Sequence, residues 1–222
     1  MEGNSRFISS AQAGPHEDLP ELLRRHLAHP FRQPVLDYNR AAFLGAMAAR
    51  AAWNPQAPLI LDAGCGVGWS TLRIAEQYAD HFVIGVDQSI DRISRGKPLA
   101  LPANAVFARA DLVDFWRLLQ AEGIHLARHY LLYPNPWPKI GHLARRWHGH
   151  AVFPALLALG GTLECRSNWR IYIEELASAI TLATGRPAHC EPWQPVGEPM
   201  TPFEKKYLAS GHDLHRVVVD LG

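Results

Sequence analysis

From Leu59 onward the chain alternates short apolar runs with longer amphipathic ones, and this alternation limits its folds more than any other feature. Runs of β type stand at Leu59–Asp62, Phe82–Asp87, Ala105–Arg109, Tyr130–Tyr133 and Thr162–Arg166. Helix-like stretches lie between or after them at Ser70–Ala79, Leu112–Ala121, Val152–Leu159 and Ile171–Thr184. The pattern predicts an α/β fold, a doubly wound and mostly parallel sheet with helices on both faces. The runs carry apolar residues on both sides, as strands between two helical layers must. A final run at Leu214–Leu221 is expected to close the sheet. Before it, Pro187, Pro192, Pro195, Pro199 and Pro202 predict a long loop without helix.

Residues 1–38 have no steady hydrophobic period and contain Pro15, Pro20, Pro30 and Pro34. They read as an N-terminal arm, partly flexible, lying on the body and holding one short helix near Leu19–Ala28. Residues 39–222 read as a single domain, opened by a helix over Asn39–Trp53 that stops near Pro55.

Lys and Arg total 22 against 21 acids, a net charge of +1. That excludes nucleic-acid binding by bulk charge and leaves a local basic patch open. Three cysteines without a CxxC pair predict a reducing compartment, with neither disulfides nor a zinc site. The start, MEGNSRFISSAQAG, has no apolar core of a secretory signal. No apolar run reaches the ~18 residues of a membrane span. The expectation is a soluble cytoplasmic enzyme that uses no metal.

In a doubly wound sheet, ligands bind beyond the carboxyl ends of the strands. The first run leads into LDAGCGVGWS, with Asp62, Gly64, Gly66 and Gly68. A dinucleotide fingerprint needs its third glycine at position 69, which is Trp69, so the pattern is D-x-G-x-G-x-G instead. The second run ends at Asp87, where a carboxylate can accept from both hydroxyls of a ribose. Asp111 follows the third run, beside the expected adenine position, and is equally placed to cap a helix. There is no GxxxxGK[ST] sequence to cradle phosphates. The three acids and the glycine loop together suit an adenosine pocket.

The fourth run leads into YPNPWPKIGHLARRWHGH. Its prolines fix φ on both sides of Asn135 and reduce the entropy lost in holding it. Lys139, Arg145 and Arg146 make this the densest basic stretch, suited to RNA phosphates or simply to solvent. His148 and His150 lack the further ligands of a metal site. After the fifth run, Ser167 and Asn168 can face the same pocket or cap a helix. Thr201, Phe203 and Glu204 precede the last run, and Phe203 also suits plain loop packing.

The glycine loop and its acids resemble those of class I S-adenosylmethionine-dependent methyltransferases. By that resemblance Asp62 lies near the methionine moiety and Asp87 binds the ribose. The order PNPWPK, RR, SNW, TPFE and GHDLHRVVVDL resembles the bacterial tRNA (guanine-N7)-methyltransferase family over about residues 58–222. That family reads P-D-P-W-x-K, T-D-W and T-x-F-E before a G-H strand. The resemblance implies a seven-stranded sheet with a final antiparallel strand, S-adenosylmethionine as cofactor and tRNA as partner. It implies cofactor contacts from Asp62, Gly64, Gly66, Gly68, Asp87, Asp111 and Asn135, with Asn135 at the catalytic position. Substrate contacts fall on Lys139, Arg145, Arg146, Asn168, Thr201, Phe203 and Glu204.

Two positions depart from the family. Asn135 and Asn168 are amides where the family has aspartates. An amide oxygen still accepts a hydrogen bond but carries no charge, and Glu204 remains as a formal charge. The amides leave open a paralogue that methylates another RNA position or a small molecule, and an RNA-binding module with a vestigial pocket.

Overall fold

The computed structural model describes residues 4–95 and 100–222. Its strands are β1 (Leu59–Ala63), β2 (Phe82–Asp87), β3 (Ala105–Arg109), β4 (Arg128–Leu132), β5 (Thr162–Ser167), β6 (Glu191–Trp193) and β7 (Leu214–Asp220). They form one seven-stranded sheet in the order β3-β2-β1-β4-β5-β7-β6. The first five are parallel, β7 runs antiparallel to β5, and β6 runs antiparallel to β7. The winding reverses beside β1, where Asp62 faces Gly85 of β2 on one side and Tyr130 of β4 on the other. Every residue of β1 and β2 is buried, which is why LILDA and FVIGVD read as unbroken apolar runs.

The α-helices are α1 (Leu19–Ala28), α2 (Asp37–Trp53), α3 (Trp69–Gln77), α4 (Ile90–Arg95), α5 (Leu112–Ala121), α6 (Phe153–Leu157), α7 (Arg170–Thr184) and α8 (Pro202–Ala209). Two 3₁₀ turns, Ile140–Arg145 and Trp147–Gly149, carry the basic stretch after β4. The main core joins α1, α2, α5, α6 and α7 to the sheet and includes Leu19 and Leu23. The short helix expected within the arm is therefore part of the packed body. Among the described residues, no helix is long and apolar enough to cross a membrane.

The loop expected to be free of helix is not so. It holds β6, a short edge strand that tolerates Pro192 because its outer side has no strand to pair with. It also ends in α8, where Thr201 caps the helix by accepting from the Glu204 N–H at 3.0 Å and Pro202 takes the first turn. Strand β4 starts two residues earlier than expected, at Arg128. It stops before Tyr133, whose φ of 53° leaves the extended region.

Candidate functional site

A cleft of 690 Å³ opens at the carboxyl ends of β1, β2, β3 and β4. Gly64, Gly66, Asp87, Asp111, Asn135, Thr201 and Phe203 line it together with Gln88, so half of the expected positions converge on one space. The three glycines of the loop all have positive φ, 80° at Gly64, 59° at Gly66 and 86° at Gly68. Their roles differ. A Cβ on Gly68 would lie 2.2 Å from the Phe107 ring, so this glycine lets β3 and the start of α3 pack together. A Cβ on Gly66 would meet nothing within 4 Å, so this glycine keeps space clear on the cleft side.

The Asp62 carboxylate is buried behind the loop. Its Oδ2 accepts from the Ser70 hydroxyl at 2.6 Å and the Thr71 hydroxyl at 2.7 Å, while its Oδ1 is buried without a partner. Burial pushes its pKa up to about 6, and the Asp87 charge adds to this against the two hydroxyl donors. An acceptor left unpaired at this depth favours a ligand that brings a donor or a positive charge. Asp87 is 4% exposed and accepts from the Gly66 N–H at 3.0 Å and the Ser89 N–H at 2.8 Å. Each oxygen keeps a further lone pair for a ribose hydroxyl. Arg92 approaches it to 3.5 Å.

Asp111 caps a helix and also lines the cleft. Its Oδ1 caps α5 by accepting from the Val113 N–H at 2.8 Å. Its own N–H donates to Asn39 at 2.9 Å, which ties α2 to the pocket. These observations fit a nucleoside with a cationic amino-acid tail: the ribose at Asp87, the base beside Asp111, and the tail toward Asp62. S-adenosylmethionine is such a molecule.

The turn after β4 is strained at both ends, with φ of 53° at Tyr133 and 47° at Trp137. Between them Asn135 is exposed to the cleft, and its Oδ1 accepts from the Trp137 N–H at 3.3 Å. The strain is held by neighbours. The Tyr133 N–H donates to the Arg166 carbonyl at 2.8 Å, and its hydroxyl donates to Glu204 Oε1 at 2.6 Å. From the other side, Arg146 donates to the Trp137 carbonyl at 3.2 and 3.1 Å and to the Lys139 carbonyl at 3.3 Å.

Two substrate positions therefore need correcting. Arg146 is fully buried, paired with Glu175 and lying over the Trp169 ring at 4.9 Å, so it holds the turn and reaches no phosphate. Glu204 is also fully buried, accepting from Tyr133, Arg166 at 3.0 Å, Trp193 at 3.2 Å and the Met200 N–H at 2.7 Å. Burial alone would raise its pKa, but Tyr133, the Met200 N–H and Arg166 outweigh it and hold it below the usual range. Its charge is spent inside the scaffold.

Lys139 and Arg145 remain exposed, and Arg145 lies 4.9 Å over the Trp137 ring. Asn168 sits outside the cleft lining. Its amide nitrogen donates to His212 Nδ1 at 3.1 Å. Thr201, the residue that caps α8, and Phe203, in its first turn, reach the cleft. Sequence reasoning missed Tyr133 and Tyr207, both of which line it. It also missed Glu175, whose placement on the buried face of α7 beside Tyr172, Leu176 and Ala179 was the signal that a buried cation must accompany it.

A family model described as "Putative methyltransferase" matches residues 56–217. The tRNA (guanine-N(7)-)-methyltransferase of Paracidovorax citrulli is 32% identical over 199 residues, 81% of this chain and 74% of that one. Its counterpart in Treponema pallidum is 30% identical over 171 residues, 72% of this chain and 66% of that one. The chain thus spans 66% to 74% of the length of these two relatives. The fold is also that of the 16S rRNA methyltransferase KamB, with a TM-score of 0.57 at 17% identity, covering 85% of this chain and 94% of that one. The antibiotic-resistance methyltransferase Kmr has a TM-score of 0.51 at 21% identity, covering 86% and 96%. The family match runs from just before the first strand into the strand that follows α8, and so takes in every segment that lines the cleft. The chain belongs to the tRNA (guanine-N7)-methyltransferase family, whose cofactor is S-adenosylmethionine.

Proposed function

We propose that this protein methylates N7 of a guanine in tRNA, which makes the cytoplasm its place of action. The observation that carries the reading is the meeting, in one cleft, of a nucleoside pocket at β1, β2 and β3 with the rigid Asn135 turn at β4. S-adenosylmethionine supplies a methyl group on a positively charged sulfur, which leaves as a neutral thioether with the electrons of the broken bond. Guanine N7 carries an in-plane lone pair, so the new N–C bond forms without a proton being removed. The residues need only align and stabilise. Asp62, Gly64, Gly66, Gly68, Asp87 and Asp111 hold the cofactor. Asn135 orients the acceptor ring from the cofactor side, and Thr201 and Phe203 hold it from α8. Lys139 and Arg145 take RNA phosphates, and Asn168 acts from beside the cleft through His212.

A second reading rests on one observation. Among the described residues, the only carboxylates lining the cleft are Asp87 and Asp111, both on the nucleoside side of β1. A carboxylate matches the paired N1–H and N2 donors of guanine, whereas an amide matches an edge with one donor and one acceptor. The amide at 135 therefore also suits a paralogue acting on another base or position. Incubation with labelled cofactor and bulk tRNA, followed by nucleoside mapping, tests both. Label in 7-methylguanosine supports the first reading, label in another nucleoside supports the second, and no transfer to RNA overturns both.

A further inference from the structure

We infer that Phe7, seated on His212, is a stacking subsite for an unpaired nucleotide of the RNA next to the one in the cleft. The inference rests on the proposal that the substrate is RNA. The arm is fastened at several points. The Ser5 N–H donates to the Ser210 hydroxyl at 3.0 Å, the Ser10 hydroxyl donates to the Pro138 carbonyl at 2.6 Å, and Gln12 donates to Glu175 at 2.5 Å. Between these ties the Phe7 ring stacks on the His212 ring, with centroids 4.3 Å apart and planes 16° from parallel. Phe7 is nonetheless 70% exposed, so one face is covered and the other meets solvent.

A single exposed aromatic ring is ordinary. This one ends a continuous series. His212 lies 5.2 Å from Tyr207, and Tyr207 lies 6.0 Å from Phe203 and 5.6 Å from Tyr133. Tyr133, Tyr207 and Phe203 line the acceptor end of the cleft, so the rings run from the reaction site out to the arm. The platform is also fixed in orientation. His212 Nδ1 accepts from Asn168 at 3.1 Å, which leaves the proton on Nε2 to donate to the Ser5 carbonyl at 3.2 Å.

Charge selects the occupant. Arg6 precedes Phe7, Lys205 and Lys206 flank Phe203 and Tyr207 on α8, and Lys139 follows the Pro138 carbonyl that Ser10 holds. All four are exposed, against the exposed Asp213. Rings beside a cationic surface suit single-stranded RNA, whose bases stack while its phosphates pair with the cations.

The test uses the full chain and its Phe7→Ala, Phe7→Leu and Phe7→Trp variants. Affinity for tRNA is measured by fluorescence anisotropy across salt, and affinity for S-adenosylhomocysteine by calorimetry. Loss of one stacked base is expected to weaken RNA binding about tenfold in Phe7→Ala and Phe7→Leu. Phe7→Trp should bind as the parent does or tighter. The salt slope should stay constant, because no phosphate contact is removed. Unchanged affinity in Phe7→Ala, or Phe7→Leu binding as well as Phe7→Trp, overturns the subsite while leaving the RNA reading intact. So does a reduced slope with faster proteolysis after Arg6, which marks a ring that only anchors the arm. A parent that binds no RNA overturns the RNA reading itself.

Discussion

Arg146 and Glu175 form an ion pair with both side chains at 0% exposure and Nη1 2.6 Å from Oε2. The pair joins three parts of the molecule, because Glu175 also accepts from His148 at 2.8 Å and from the His16 N–H at 2.9 Å. A buried pair is stable only while both partners are present. Arg146→Met leaves the carboxylate short of its main counter-charge and should lower unfolding free energy by about 3–5 kcal/mol, read by urea denaturation. It should also slow turnover more than it weakens RNA binding, since the carbonyls of Trp137 and Lys139 lose their donor. Stability within about 0.5 kcal/mol of the parent would contradict the role assigned to the pair.

The same pair sets an acid limit. Burial alone would raise the Glu175 carboxyl, but His148 and Arg146 bring it down to about 2 from the ordinary 4.5. A folded-state value below the unfolded one stabilises fully above 4.5, and the gain is lost as pH falls toward 2. Urea midpoints taken from pH 5 to pH 3 should fall in the parent and fall less steeply in Glu175→Gln.

Asp62 behaves in the opposite sense. Its folded-state value of about 6 lies above the ordinary 3.8, so below about pH 6 the folded protein without ligand holds the protonated acid. A ligand ammonium beside Asp62 favours the charged form, and binding then releases a proton. Affinity for S-adenosylhomocysteine, measured by calorimetry, should rise as pH climbs from 5 to 7 and level off above about 6. Asp62→Asn should flatten that profile. A flat profile in the parent would place the amino group elsewhere.

Gly66 and Gly68 should separate stability from binding. Gly68→Ala puts a methyl group against Phe107 at a φ of 86°, and should cost about 2–4 kcal/mol in thermal or urea unfolding. Gly66→Ala has open space around it, so it should lose less stability and still weaken cofactor binding. A Gly66→Ala variant that binds the cofactor as tightly as the parent would show that this glycine serves the turn alone.

The Asn135 turn tests the acceptor chemistry. In guanine N7 methylation positive charge moves onto the purine, and a carboxylate near it stabilises that charge. Asn135→Asp should then raise the single-turnover rate on tRNA, with about tenfold corresponding to 1.4 kcal/mol. A slower variant would mean that the pocket is built around the amide, and would favour a different acceptor.

The central strands were legible because burial on both faces forces unbroken apolar runs, as in β1 and β2. The placement of the glycine loop and Asp87 beside the cleft was legible because the apolar runs located the strand ends that carry them. Helix α8 was hidden by the prolines around it, although Thr201, Pro202 and Glu204 spell a capped helix start. Arg145 and Arg146 are identical in composition, and only the fold assigns one to solvent and the other to Glu175. Glu204 looked like a free charge for the same reason, since its partners Tyr133, Arg166 and Trp193 come from the turn after β4, from β5 and from β6.

Ser5 touches Ser210 across 205 positions of chain, and its carbonyl meets His212 across 207. A contact so distant in sequence pays its loop-closure entropy late, once the sheet has already brought residue 210 into place. Residues 5–10, ahead of the packed helix α1, are therefore expected to lock last and release first, and their amide protons should exchange with water well before those of β1. Their release leaves Arg146 and His148 still holding Glu175, so the opening does not spread into the core. That edge of the protein is thus expected to loosen and reclose while the glycine loop keeps its shape.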